Sequence, residues 1–160
     1  MIKDVQTPLG KLYLQIDEAK LTAIHFEKPL FSGEAYTVED QLVFENAKQQ
    51  LTEYFRGERT HFELPLNTCG TAFQQSVWNQ LHGIPYGQTI SYQELANRIG
   101  NVKACRAVGQ ANRKNPLPIV VPCHRVIGKD QTLKGYAGSL TPIKKILIEL
   151  ELQHLNSNAF

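Results

Sequence analysis

One short segment of the chain places a cysteine next to two potential cations. Residues 118–128 read Pro-Ile-Val-Val-Pro-Cys-His-Arg-Val-Ile-Gly, in which Cys123 is followed by His124 and Arg125. The β-branched run before Pro122 predicts a strand that ends there, because proline cannot donate a ladder hydrogen bond. Neighbouring cations favour ionisation of a thiol, and the thiolate is the nucleophilic form. The segment therefore predicts a nucleophilic cysteine; an inert cysteine at a buried strand end is the alternative.

The composition is ordinary for an intracellular globular protein. The 160 residues are 42% hydrophobic and 20% charged, which argues against disorder. We find no apolar run of membrane-spanning length and no signal-peptide core near Met1. The three cysteines occur at unrelated spacings, which argues against a disulfide framework and against a zinc site. We therefore expect a cytoplasmic protein without a metal.

The charge is distributed unevenly along the chain. Residues 1–69 contain 7 Lys/Arg and 11 Asp/Glu, a balance of −4, whereas residues 70–160 contain 10 and 4, a balance of +6. A basic half attached to an acidic half indicates that the second half faces a polyanion. A solvated basic surface is the alternative.

The N-terminal part shows the patterns of a small α/β domain, which we place at residues 1–69 with its linker. Alternating apolar residues predict a β-hairpin with the inward side chains Leu12, Leu14, Ile16, Leu21, Ala23 and His25. Helical spacing predicts a helix from about Val38 to Phe55 with the inward residues Leu42, Phe44, Ala47, Leu51 and Phe55. Residues 61–66 predict one further short strand. No catalytic constellation occurs in this part.

The C-terminal part, residues 70–160, is predicted to be mainly helical. Capping-box patterns at residues 71–74 and 91–94 begin two helices, a third runs from about Val102 to Arg113, and Thr141-Pro142 begins a last one. The second and third helices match a helix-turn-helix. The third helix carries cations among small residues, which suits contact with phosphates: Lys103, Arg106, Arg113 and Lys114. A helical pair packed in a core with a charged outer face is the alternative.

Several ordered segments together resemble the O6-alkylguanine-DNA alkyltransferases, the methylated-DNA–protein-cysteine methyltransferases. They are residues 70–78, 84–92 and 104–109, Asn115-Pro116, residues 122–126 and residues 136–138. The resemblance implies an α+β protein with a small ribonuclease H-like α/β domain followed by a mainly helical winged helix-turn-helix domain. It is strong over residues 70–151, and the N-terminal half fits the family's small domain.

The resemblance also implies roles for residues around the cysteine. Cys123 matches the alkyl acceptor, and His124 matches the base that acts through a water. A glutamate of the last helix supports this histidine in the family; here Glu151 is selected, with Glu149 as the alternative. Asn115 matches the asparagine that tethers the turn between the recognition helix and the active-site segment.

The implied partner is double-stranded DNA containing O6-alkylguanine. Tyr92 and Arg106 match the family's nucleotide-flipping residues, and Ala104 and Arg113 accompany them on the DNA-binding face. The lesion pocket is matched by Val126, Tyr136, Ala137 and Gly138. Many members carry serine where this chain has Ala137, and Lys114 replaces a small residue, so the range of accepted alkyl groups is left open.

The function implied is direct-reversal DNA repair with a single turnover, because a thioether on Cys123 is a poor leaving group. We expect transfer from O6-alkylguanine and from O4-alkylthymine, with base flipping and no cofactor, by a monomer without an obligate protein partner. Two alternatives stay open. One is a non-catalytic lesion sensor or DNA-binding regulator. The other is a cysteine hydrolase using Cys123 and His124, which suffers from the adjacency of the two residues.

Overall fold

The chain divides into two compact units, Met1–Cys69 and Gly70–Phe160. The computed structural model describes residues 1–30, 35–128 and 142–157. Within these ranges no helix is long and apolar enough to cross a membrane. The same ranges contain no group of three or more His, Cys, Asp or Glu side chains that is arranged to hold a metal ion.

The first unit is a three-stranded antiparallel sheet with one helix packed on it. The strands are β1 (Ile2–Thr7), β2 (Gly10–Asp17) and β3 (Lys20–His25), in the order β1-β2-β3. Helix α1 spans Val38–Phe55, the predicted range, and begins with a capping box between Thr37 and Asp40. The core of the unit contains the fully buried residues Leu12, Leu14, Ile16, Leu21, Ala47, Leu51 and Tyr54.

A β-bulge changes the predicted alternation of the hairpin. The register between β2 and β3 shifts at Gln15 and Ile16, and a bulge moves every following side chain relative to its partner. Leu21 and Ile24 are consequently buried. The prediction that Ala23 and His25 face inward with Leu21 is wrong, because both are only partly buried.

Two other expectations for the first unit are also wrong. Leu42 is 64% exposed, because it stands two residues, about 200° around the helix, from the buried Phe44. Residues 61–66 do not form a strand. Only an isolated bridge between Leu66 and Leu21 is present, and Pro65 next to it has no amide hydrogen to extend a ladder.

The second unit contains four helices and a short parallel strand pair among its described residues. The elements are α2 (Ala72–Leu81), β4 (Ile90–Ser91), α3 (Tyr92–Arg98), α4 (Cys105–Arg113), β5 (Val126–Ile127) and α5 (Pro142–Ser157). Strand β4 pairs with β5 in parallel. Helix α2 begins with the predicted capping box, in which Thr71 and Gln74 exchange hydrogen bonds of 2.9 and 3.1 Å. This mixed fold, a small sheet unit followed by a mainly helical one, confirms the predicted fold class.

Helices α3 and α4 form the predicted helix-turn-helix. The two helices pack on each other, and Leu95, Ala96 and Val108 on them are buried. Helix α4 ends at Arg113 as expected but begins at Cys105 rather than near Val102. Residues 101–104 form a separate turn, in which the Ala104 amide donates to the Asn101 carbonyl over 3.0 Å.

The inward face of α5 also differs from the prediction. Leu147 is buried as expected, together with Ile148. Ile146 is 44% exposed, and Ile143 and Leu150 are only partly buried. The burial of Glu151, which is 1% exposed, explains the difference, because the face of α5 that packs inward is the one that carries this carboxylate.

Candidate active site

The segment before Cys123 is a compact loop and not the predicted strand. Ile119 has a φ of +76°, a left-handed conformation that β-branched residues avoid. Asn115 holds the loop in this shape: its side-chain oxygen accepts from the Leu117 amide at 3.0 Å, and its side-chain nitrogen donates to the Val121 carbonyl at 2.8 Å. The flanking prolines remove ladder donors, so the β-branched run lacks a partner strand. These two hydrogen bonds link Asn115 to both ends of the loop.

Cys123, His124 and Arg125 form a single 3-10 turn. The side chains of Cys123 and His124 therefore do not alternate as they would in a strand. Cys123 is partly buried, whereas His124 and Arg125 are 2% and 7% exposed. The turn delivers two buried polar side chains to the interior of the unit, and the residue Cys123 is more accessible than either of them.

A buried carboxylate joins the two polar side chains of this turn. His124 Nε2 lies 2.6 Å from Glu151 Oε2. Arg125 donates to the same carboxylate twice, from Nε to Oε1 at 2.9 Å and from its second terminal nitrogen to Oε2 at 3.0 Å. Of the two glutamates left open by the sequence, Glu151 makes these contacts, while Glu149 is exposed.

The turn before β4 completes the support of Glu151. The Gly87 amide donates to Glu151 Oε1 over 3.0 Å, and Arg125 also donates to the Ile84 carbonyl over 2.8 Å. Gly87 has a φ of +79°, and a Cβ there would meet Leu155 of α5 at 2.7 Å. The positive φ favours glycine at this position, where the amide donates to the carboxylate.

The ionisation of Glu151 is fixed by its partners. Burial opposes the charge, but hydrogen bonds and positive charge from His124 and Arg125 outweigh it and hold the pKa of Glu151 at about 2. Burial lowers the pKa of His124, against the opposing influence of Glu151. At neutral pH the carboxylate is charged and paired with Arg125, and His124 is neutral.

This charge state fixes the tautomer of His124. Since an ionised carboxylate only accepts hydrogen bonds, Nε2 must carry the proton and Nδ1 must carry the lone pair. Nδ1 is buried, and it has no hydrogen-bond partner in the described part of the chain. A histidine with a held Nε2–H and an unengaged Nδ1 lone pair is prepared to accept a proton.

The environment of the Cys123 thiol differs from the prediction. Burial raises the pKa of Cys123, and a hydrogen bond from Asn115 and the charge of Lys144 only partly oppose this. The two neighbouring residues do not supply the expected cations, because His124 is neutral and Arg125 is paired with Glu151. The resting group is therefore a thiol that needs a base.

The predicted DNA-binding residues lie on or next to the helix-turn-helix. Arg106 and Arg113 are exposed on α4, and Ala104 precedes its first turn. Tyr92, the first residue of α3, is partly buried. Its hydroxyl accepts a hydrogen bond from Lys144 over 3.2 Å, and a Cβ on Gly109 of α4 would lie 3.8 Å from its ring.

The predicted lesion-pocket residues are only partly covered by the structure. Val126 is fully buried in β5. Tyr136, Ala137 and Gly138 lie outside the described residues, and so does Thr141.

Sequence reasoning missed four residues that belong to this neighbourhood. Arg125 was noted only as a cation, Gly87 only within the segment 84–92, and Lys144 and Asn112 were not singled out. The sequence around these residues gives little signal, because their contacts join residues up to 64 positions apart. A basic residue directly after a Cys-His pair is the one clue that was available.

These features define a class before any relative is considered: a helix-turn-helix unit that carries a cysteine beside a buried histidine–glutamate–arginine cluster. The chain belongs to the 6-O-methylguanine DNA methyltransferase family. The DNA-binding domain of this family matches residues 72–153, and its ribonuclease-like domain matches residues 4–68.

Relatives with assigned names cover nearly the whole chain. The constitutive methylated-DNA–protein-cysteine methyltransferase of Bacillus subtilis is 49% identical over 151 residues, 91% of this chain and 92% of that protein. A methylated-DNA–protein-cysteine methyltransferase of Methanosarcina acetivorans is 47% identical over 148 residues, 91% of this chain and 94% of that protein. The crystal structure of Mycobacterium tuberculosis OGT in complex with DNA is 40% identical, has a TM-score of 0.80, and covers 96% of this chain and 93% of that one.

Proposed function

We propose that this protein repairs alkylated DNA by transferring the alkyl group of O6-alkylguanine to Cys123, once per molecule. The observation that carries the proposal is the unengaged Nδ1 of His124, whose other nitrogen is held 2.6 Å from Glu151, directly beside the cysteine. Membership of the 6-O-methylguanine DNA methyltransferase family supports it, as do the names of the relatives.

The first step is removal of the thiol proton. The burial of Cys123 raises its pKa, so the thiolate must be generated by a base. His124 Nδ1 takes the proton through one bridging water, a geometry that suits adjacent residues. The charged Glu151 then stabilises the imidazolium, as the carboxylate does in a catalytic triad.

The second step is a displacement at the alkyl carbon. The Sγ electron pair forms a sulfur–carbon bond while the bond between this carbon and guanine O6 breaks, and the electron pair of that bond leaves with the guanine. The guanine then takes up a proton, which balances the one removed from the thiol. The product is a thioether on Cys123, which the protein does not reverse.

The lesion must leave the base stack before Sγ reaches it, at a cost of a few kcal/mol. We propose that Arg106 occupies the vacated space and that Tyr92 crowds the neighbouring phosphate. The exposure of Arg106 on α4 and the small residues around it support close approach to the minor groove.

The flipping roles are tested by comparing Arg106→Ala with Arg113→Ala, an exposed cation on the same helix. Arg106→Ala should slow transfer from a paired lesion about 10- to 100-fold, because the arginine no longer stabilises the flipped state. The rate of transfer from the same lesion in single-stranded DNA should stay unchanged. Arg113→Ala should instead weaken DNA binding in a salt-dependent way. Equal losses of Arg106→Ala on both substrates would reduce Arg106 to a phosphate contact.

O4-alkylthymine is the second substrate that we propose, because its alkyl carbon is also bonded to an exocyclic oxygen. A duplex with one O4-methylthymine should methylate Cys123. Absence of transfer from this duplex, with transfer from O6-methylguanine intact, would remove the thymine lesion from the substrate range.

The deciding experiment is intact-protein and peptide mass spectrometry after incubation with a duplex that contains one O6-methylguanine. One methyl on Cys123, saturating at one per protein, is expected. Cys123→Ser should lower transfer by at least about 10⁴-fold and retain lesion binding, and Cys105→Ser, a control on α4, should react like the natural protein. Lesion binding without any mass change would make the protein a sensor instead.

A further inference from the structure

Asn112 connects α4 directly to the backbone of the acceptor cysteine. It is the second-to-last residue of α4 and is 3% exposed. Its side-chain nitrogen donates to the Cys123 carbonyl over 3.2 Å. A carbonyl can only accept, so this contact fixes which end of the amide faces Cys123. The side-chain oxygen, Oδ1, must point elsewhere.

Oδ1 of Asn112 is buried, and no hydrogen-bond partner for it exists among the described residues. A buried carbonyl without a partner destabilises the free protein. A tether to Cys123 needs only the amide nitrogen, so the tether does not account for this arrangement. Oδ1 therefore calls for a partner from outside the described residues, such as a ligand.

Oδ1 of Asn112 lies close to the reacting cysteine. Amide geometry keeps it within about 5.5 Å of the Cys123 carbonyl oxygen. His124, the residue after Cys123, also has a buried atom without a hydrogen-bond partner among the described residues. This atom is Nδ1. During transfer the alkyl carbon lies about 3–3.5 Å from Sγ, so the lesion base must occupy the same neighbourhood.

We propose that Asn112 Oδ1 accepts a hydrogen bond from the 2-amino group of the lesion guanine and thereby determines specificity. This inference rests on the proposed function. O6-alkylation removes the N1 hydrogen, so the 2-amino group is the only N–H donor that the base retains. O4-alkylthymine has no N–H donor, so Asn112 favours guanine lesions over thymine lesions.

The test uses a ratio of two rates within one variant. Single-turnover methylation of Cys123 is measured with duplexes that contain O6-methylguanine or O6-methylhypoxanthine, which lacks only the 2-amino group. Both lesions use the same thiol and base, so a variant's effect on Cys123 reactivity or on the folded fraction cancels in the ratio. Differences in pairing between the lesions are common to all variants.

Asn112→Leu removes donor and acceptor, and should reduce the preference for O6-methylguanine about tenfold relative to the natural protein. Asn112→Asp keeps an acceptor and loses the donor, so it should retain the preference while both rates fall. If Asn112→Leu does not fold, Asn112→Met makes the same comparison with an unbranched side chain.

Two results overturn the assignment. An unchanged ratio in Asn112→Leu would mean that Oδ1 does not contact the amino group. Loss of the preference in both Asn112→Leu and Asn112→Asp would assign the effect to the tether through the side-chain nitrogen. Failure of the proposed function is distinguishable, because then O6-methylguanine would leave no methyl on Cys123 of the natural protein.

Discussion

The two units use their buried polar side chains in opposite ways. In the first unit these are Asp40 and Gln50 among the described residues. Asp40 accepts from the Ala19 and Thr37 amides, and Gln50 exchanges hydrogen bonds with the Glu63 backbone. Each of these contacts links a side chain of α1 to a backbone group, so these side chains contribute to architecture.

The buried polar side chains of the second unit surround one cysteine. They are Asn112, Asn115, His124, Arg125 and Glu151. Their network leaves His124 Nδ1 and Asn112 Oδ1 without partners among the described residues. Buried polar groups without partners lower the stability of the folded protein. Their concentration beside a thiol therefore indicates that this part of the molecule is arranged for a reaction.

Among the residues that support the thiol, replacing the base should have the largest effect on the rate. His124→Gln retains a donor for Glu151 but cannot take up a proton, so alkyl transfer should slow about 10²- to 10⁴-fold. Burial keeps the pKa of His124 below its usual 6.5, so the natural protein should stay active below pH 6.5 and lose activity only as the pH falls through the lowered value. Single-turnover rates between pH 5 and 8 measure both effects.

A matched control for this change exists in the first unit. His25 lies 3.0 Å from the Gln15 side chain and is partly buried. His25→Gln should leave the rate and its pH dependence unchanged. A similar slowing in both variants would show that the loss in His124→Gln is structural and would break the contrast between the units.

Breaking the buried ion pair should give the largest loss of stability. Arg125→Met leaves Glu151 charged in the interior, so the free energy of unfolding should fall by about 3–5 kcal/mol. Replacing both partners, as Arg125→Met with Glu151→Leu, should recover much of this loss. Urea unfolding of the single and double variants measures the difference.

The Arg59–Glu53 pair of the first unit is the control for this prediction. Its atoms are 2.9 Å apart, but both side chains retain solvent access, 23% and 28%. Arg59→Met should therefore cost about 1 kcal/mol or less. Equal losses for Arg59→Met and Arg125→Met would contradict the view that burial makes the Glu151 cluster different.

Acid should weaken the second unit through Glu151. Its pKa falls from the usual 4.5 to about 2 on folding, so its ionisation stabilises the folded state above pH 4.5. That contribution, about 3 kcal/mol, should be lost as the pH falls from 4.5 towards 2. Urea unfolding at stepwise lower pH should show this decline in the natural protein, and Glu151→Gln should lack this component of it. A parallel decline in both proteins would exclude Glu151 as the source.

The helices were predictable from the sequence where residues close together in the chain determine them. Capping at Thr71 and the helical spacing of α1 are properties of short segments, so the sequence predicted both helices. The loop at Ile119 was mistaken for a strand because its left-handed residue is imposed by Asn115, a side chain outside the β-branched run. The same limitation applies to the bulge in β3, which depends on pairing with β2.

The site shows the same division between local and long-range information. The cysteine and histidine adjoin each other in the chain and were found from their types, and the choice of Glu151 came from a family resemblance. The thiol's pKa was predicted in the wrong direction, because burial and the pairing of Arg125 with Glu151 are tertiary properties. Asn112 gave no signal, since an asparagine in a helix is ordinarily solvated.

The smallest effect on activity is expected from the first unit itself. Gln50→Leu removes the hydrogen bonds to the Glu63 amide and carbonyl, of 2.9 and 3.0 Å, and should destabilise that unit by about 1–3 kcal/mol. Methyl transfer per folded molecule should stay within about twofold, because Gln50 and Cys123 belong to different compact units. Thermal unfolding and single-turnover rates on the same samples test both halves of the prediction. A stable variant with slowed transfer would contradict the division of roles, because it would place part of the reactive machinery in the unit whose buried polar side chains, among the described residues, are all paired.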